Sequence, residues 1–159
     1  MNPPTPDQLR TTMGLLPTAV TVVSATGEQG PAGATANAVT SLSLDPPLIL
    51  ACLDRGSRTL GVIRESGRFG VSVLAAGQEE LAHGFASKAP HTDKWREVDH
   101  AEHDGVPVLA GSIAWAACSL RAIHGGGDHE IAVGEVLALG GDGGDPLIFF
   151  AGAYRPLGP

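Results

Sequence analysis

Short runs of β-branched and apolar residues, each cut off by glycine, proline or aspartate within about eight positions, recur along this chain and leave little room for long helices. Thr18 to Ala25 (TAVTVVSA), Leu48 to Leu53 (LILACL), Phe69 to Leu74 (FGVSVL), Ser112 to Ile123, Glu130 to Leu139 and Leu147 to Phe150 all read as strands. Between the first two, the segment Thr26 to Gly33 holds three glycines and a proline, which predicts a turn back into Ala34 to Val39. In Glu130 to Leu139 the residues Ile131, Val133, Leu137 and Leu139 are expected to form the inward face of a half-buried strand.

Helices are few and short. Thr5-Pro6-Asp7-Gln8 carries a cap, a proline at the first helical position and a glutamine able to close a capping box, with Leu9, Met13 and Leu16 on one face and an end near Gly14. Thr59 to Glu65 stops at Ser66-Gly67, and Gln78 to Ala86 places Leu81, Ala82 and Phe85 together. Lys88 to Gly105 shows many charges and little periodicity, and is expected to be a long surface connection. Six or seven strands with two or three short helices in 159 residues predict one domain, residues 1–159, of the all-β or α+β barrel class.

The most informative stretch for function runs from Gly33 to Arg58. Small and hydroxyl-bearing residues (Thr35, Ala36, Asn37, Ala38, Val39, Thr40, Ser41) precede the strand 48–53, and Asp54-Arg55-Gly56-Ser57-Arg58-Thr59 follows it. Small side chains let a flat ligand approach the main chain, and hydroxyls, an arginine and a helix start near Thr59 suit phosphate oxygens. The plain alternatives are a polar turn before a strand and an ordinary capped helix entry.

The order ATAN, SLSLDPPLIL, CLDRGSRT, with Ser66-Gly67-Arg68-Phe69, Gly105-Val106-Pro107-Val108-Leu109, Gly127-Asp128-His129 and Gly152-Ala153-Tyr154-Arg155, resembles the flavin reductase family over nearly the whole chain. The family comprises the small partners of two-component flavin-dependent monooxygenases. The resemblance implies a mainly β (α+β) fold, the FMN-binding split β-barrel of Greek-key type with a few short helices, paired as a homodimer. It implies that Thr35 to Ser41 line the flavin ring and that Asp54, Ser57, Arg58 and Thr59 meet its phosphate. It further implies that Lys88 lies near the phosphate or adenylate, that His129 lies near the nicotinamide, and that Tyr154 and Arg155 close the pocket. Relatives often carry serine at the positions of Ala38 and Gly56, so main-chain donors take a larger share here. Lys94 and Trp95 match a lysine-plus-aromatic element of the family, with Trp95 expected to pack.

The implied activity is transfer of hydride from NADH, with NADPH as the alternative, to FAD or FMN, and delivery of reduced flavin to a partner monooxygenase. A non-catalytic flavin carrier or redox-sensing module is the competing reading. A related split-barrel oxidase acting on a pyridoxine-like phosphate is disfavoured because the ten Lys and Arg form no cluster in the sequence. The formal charge of −7 argues against nucleic acid. No apolar stretch reaches the roughly 20 residues of a membrane span, no signal-peptide pattern opens the chain, and Cys52 and Cys118 in apolar runs read as reduced thiols, so a cytoplasmic location is expected. His100 and His103 among Asp99, Glu102 and Asp104 lack the spacing of a metal site, and no metal is expected. No Walker loop, nucleophile elbow or strand-borne dinucleotide fingerprint is present, so a nicotinamide would bind outside a Rossmann domain.

Overall fold

The computed structural model describes residues 2–158. The chain runs α1 (Pro6–Met13), β1 (Thr18–Ala19), β2 (Thr21–Gly27), β3 (Gly30–Ala36), β4 (Val39–Leu44), β5 (Pro47–Asp54), α2 (Arg58–Ser66) and β6 (Arg68–Val73). It continues through α3 (Glu79–Ala86), α4 (His91–Lys94), β7 (His100–His103), β8 (Val106–Leu109), β9 (Ala114–Gly126), β10 (His129–Gly140), β11 (Leu147–Phe150) and β12 (Ala153–Pro156).

Seven strands pair in the order β3-β2-β6-β9-β10-β5-β4, and every pairing within this sheet is antiparallel. Strands β3 and β4 occupy opposite edges, yet only Asn37 and Ala38 separate them. Three peptide steps span at most about 11 Å, whereas six strand spacings in a flat sheet would part those edges by roughly 29 Å. The sheet must therefore curl until its edges meet. At that seam the Cys52 N–H donates to the Ala38 carbonyl at 2.9 Å, pinning the bend onto β5.

Strand β2 explains how so small a chain fills two cores. Val23 and Ala25 enter a cluster with Leu53, Leu60, Ile63, Phe69 and Cys118. Val20, just before the strand, and Val22 pack with Leu74, Ala82, Phe85, Trp95 and Leu147 on the other side. Ser24 and Ser72 lie in this packing fully buried, and both hydroxyls are used: Ser24 donates to the Pro107 carbonyl at 2.5 Å, and Ser72 accepts from the Leu109 N–H at 3.0 Å.

Several expectations change. The described residues form twelve strands rather than six or seven. The run from Thr18 to Ala25 is divided at Val20, with β1 joining a three-stranded sheet (β1-β11-β12) and β2 the large one. Residues 88–105 are not an unstructured connection: they contain α4 and β7, and β7 pairs with β8 across a turn at Asp104 and Gly105, both at positive φ. On β10 the expected inward face is reversed. Ala132 is fully buried and Gly134 buried, whereas Leu137 is 46% and Leu139 71% exposed. The cause is Phe69: a Cβ on Gly134 would lie 2.5 Å from its ring, so the inner face of β10 carries small residues and the larger ones point outward. Helix α1 has the predicted capping box between Thr5 and Gln8, but Leu9, Met13 and Leu16 remain exposed.

Candidate functional site

The seam holds the site. A groove of about 580 Å³ is lined by Thr35, Asp54, Ser57, Arg58, Lys88, His91 and Lys94 among others. It shares Ala34, Thr35, Asp54 and Ser57 with a recess of about 350 Å³ that reaches Asn37, Ala38, Cys52 and His129. Four segments thus meet: the β3–β4 bend, the β5–α2 turn, the stretch from the end of α3 through α4, and the start of β10.

Each wall has a local cause. Asp54 ends β5 and accepts the Gly56 N–H at 2.7 Å, folding the chain into a turn that delivers Ser57 as the cap of α2. Ser57 accepts the Leu60 N–H at 3.3 Å, at the end of α2 that carries the positive pole of the helix dipole. Arg58 donates to the carbonyls of Ala89 at 2.7 Å and Lys88 at 3.3 Å, tying the segment before α4 against α2. Thr59 is 1% exposed and belongs to the wall rather than the surface. Thr35 spends its hydroxyl on the Ala82 carbonyl at 2.6 Å, which fixes α3 to β3.

His129 pairs in register with Asp54 on β5 and Gly126 on β9. Its Nδ1 is 2.8 Å from Asp128 Oδ1, and that hydrogen bond, followed by the charge of the ring, holds the Asp128 carboxyl below the usual range. The ring stays half exposed with Nε2 uncommitted. Across the recess, the side-chain Oδ1 of Asn37 is buried without a partner. An orphaned amide oxygen beside Ala34, Ala36 and Ala38 is what a flat ligand with polar edge atoms would satisfy.

A cationic group also gathers here. Lys94 donates to the Phe85 carbonyl at 3.0 Å, and burial first, then Arg58, lowers its pKa. His91 lines the same groove, with both ring nitrogens buried and unpartnered. Arg58, Lys88, His91 and Lys94 come from both sides of a 30-residue interval, so the basic cluster that the sequence lacks is assembled by the fold. This corrects the reason given above for setting aside a phosphate-binding oxidase. Nothing in the sequence singles out His91, and Cys52, read there only as a reduced thiol in an apolar run, lines the recess.

Val39, Thr40 and Ser41 lie along β4, paired with Ala51, Leu50 and Ile49, and do not line the groove within one chain. Nor do Tyr154 and Arg155. Tyr154 packs edge-on against His83 at 4.7 Å with its hydroxyl pKa raised by burial, and Arg155 lies over Phe150 at 5.3 Å. Trp95 packs, edge-on to Phe85 at 4.9 Å and to His100 at 5.0 Å, at 7% exposure. Buried Cys118 has its thiol pKa pushed up to about 12 and is unreactive at neutral pH. Among the described residues no group of three or more His, Cys, Asp or Glu is arranged to hold a metal ion, and no helix is long and apolar enough to cross a membrane.

Fold and groove together define a small, mainly β protein in which an alanine-lined recess opens into a groove lined by Arg58, Lys88, His91 and Lys94. The family described as flavin reductase like domain matches residues 13–158, and the chain belongs to it. An NADH-dependent flavin reductase of Rhodococcus sp. is 40% identical over 156 residues, covering 96% of this chain and 87% of that protein. Among solved structures, the NADH:FAD oxidoreductase SgcE6 of Streptomyces globisporus C-1027, in complex with NAD and FAD fragments, aligns with a TM-score of 0.90 at 35% identity, covering 100% of this chain and 98% of that one. Nitrilotriacetate monooxygenase component B from Mycobacterium thermoresistibile aligns at 0.91 and 34% identity, covering 96% and 87%.

Proposed function

We propose that this chain is an NAD(P)H:flavin oxidoreductase that passes hydride from NADH to FAD or FMN and releases reduced flavin to a flavin-dependent monooxygenase. The observation that carries the reading is the pair of adjoining hollows at the seam, which place the orphaned Asn37 amide, the alanine floor and His129 beside the capped start of α2 and its cations. A bound flavin would supply the redox chemistry by taking up hydride from the nicotinamide. The protein's own residues then have positional tasks. Asn37 and the main chain of Ala36 to Ala38 orient the ring, Ser57, Arg58 and Lys88 with the first turn of α2 hold the phosphate, and His129, steadied by Asp128, borders the face left for the nicotinamide. Hydride transfer needs alignment and exclusion of water more than a protein acid or base, consistent with the lack of a triad at the site.

The curl forced by the two-residue seam supports the split β-barrel of Greek-key type, and the exposed Leu137 and Leu139 on β10 with Leu42 and Leu44 on β4 support a homodimer. In that dimer Val39 to Ser41, Tyr154 and Arg155 would complete the pocket from beside the interface. The names of the relatives favour NADH over NADPH, and a single domain acting in the cytoplasm agrees with the composition. The competing carrier or sensor would need the alanine floor but not His129. Steady-state turnover and flavin titration of His129→Ala separate the two: loss of turnover by about tenfold or more with flavin affinity unchanged supports the reductase, and unchanged turnover contradicts the assigned role of His129.

A further inference from the structure

His91 sits on the one-turn helix α4 between two hollows, the groove described above and a second of about 480 Å³ lined by Glu28, Arg58, Glu65 and Thr92 among others. Both of its ring nitrogens are shielded from solvent and have no hydrogen-bond partner. An imidazole so placed leaves a donor and an acceptor unsatisfied, and with both nitrogens shielded it acts on an anion in either hollow through its charge rather than by a direct hydrogen bond. The charged groups lining the two hollows beside it are Arg58 and Glu65 on α2, Glu28 in the β2–β3 turn, Asp54 at the end of β5, and Lys88 and Lys94 on either side along the chain. Asp54 already accepts the Gly56 N–H, so its carboxylate is engaged in the turn.

We propose that His91 is a proton-linked anion-positioning residue: it is neutral in the empty groove and takes up a proton when a pyrophosphate enters beside Arg58 and Lys94, adding its charge to the grip. The ligand chemistry is a dinucleotide pyrophosphate, supplied either by FAD or by the nicotinamide dinucleotide. The inference rests on reading this groove as the flavin nucleotide site. Burial, then Lys94, then Arg58 lower the pKa of His91 in the ligand-free protein, so the ring begins uncharged near neutrality. A pyrophosphate offsets both cations and favours the charged ring, which raises its pKa in the complex. The linkage then has a definite sign: affinity rises as pH falls through the complex's pKa and levels off below that of the free protein. One linked proton permits a slope of up to about tenfold per pH unit, and the pyrophosphate of FAD does not itself titrate in this range.

The test is isothermal calorimetry of the full chain with FAD, with NADH and with riboflavin, at pH values from 6 to 8 and in two buffers of different ionisation enthalpy. The expected result is proton uptake and a threefold to tenfold tighter affinity at about pH 6 than at about pH 8 for FAD or NADH, and neither effect for riboflavin. Whichever dinucleotide shows the effect is the source of the anion. His91→Gln is expected to abolish uptake and flatten the profile, and His91→Lys to flatten it at the tighter affinity, with thermal midpoints confirming that both variants fold. Uptake and slope that persist in His91→Gln, or that riboflavin shares, overturn the role of His91 alone. Absence of binding by FAD and riboflavin at every pH overturns the flavin reading with it.

Discussion

Phe69 and Gly134 show how one large side chain sets the composition of its neighbours. The Phe69 ring fills the space over β10 so completely that a Cβ on Gly134 would fall 2.5 Å from Cε1 and 2.8 Å from the Cβ of Cys118. Gly134→Ala is therefore expected to lower stability by about 1–3 kcal/mol in urea unfolding, the range for overpacked cores, and Phe69→Leu to recover part of the loss in the double variant. Legibility at this scale follows how local a residue's task is. Asp54 and Ser57 act within three positions of themselves, as turn former and helix cap, and their sequence spells that out. His91 draws its character first from burial in the folded chain, then from Lys94 and from Arg58, 33 positions earlier, and no window along the chain displays that burial or the Arg58 pairing. The roles of the ligand-facing side chains rest on the family resemblance together with the orphaned Asn37 amide, which only the folded chain reveals.

Elements with their own stop and start signals were readable from sequence. Helix α1 has its capping box, and α2 runs from the Ser57 cap to a left-handed Gly67, within a residue or two of expectation. The hairpin β7–β8 was not readable, because its outer residues His100, Ala101 and Glu102 are solvated and break the apolar alternation that marks a strand. The face of β10 was misread for a related reason: alternation reveals two faces, and what opposes each decides which one is buried. Helices α3 and α4 meet over Trp95, whose ring is buried against Phe85 and whose Nε1 has no partner. Trp95→Ala should cost about 3–5 kcal/mol through the cavity it leaves. Trp95→Phe should cost about 1 kcal/mol or less, because it also removes an unsatisfied buried N–H. Thermal or urea denaturation of the pair checks whether the packing, rather than the indole N–H, holds these helices.

For the whole molecule, the decisive feature is a seven-stranded sheet whose two edges are joined by Asn37 and Ala38, because that closure places the recess lined by Asn37, Ala38 and Cys52 at the meeting of β3, β4 and β5. The mainly β class with few short helices is legible in the strand pattern; the seam is not, since it depends on strand order. Curling also turns Leu137 and Leu139 outward, and a second copy is the occupant we propose for that face. Leu139→Glu is expected to convert a dimer to a monomer in light scattering after size-exclusion chromatography, with the β-sheet circular dichroism retained. A wild-type monomer at micromolar concentration would remove the dimer from the account. The central claim concerns the seam as a place where a flavin ring receives electrons. Oxidation of NADH followed at 340 nm, with and without added FAD or FMN, tests it most directly. The account predicts that turnover depends on flavin and saturates with it. A rate no higher with either flavin than without would contradict it.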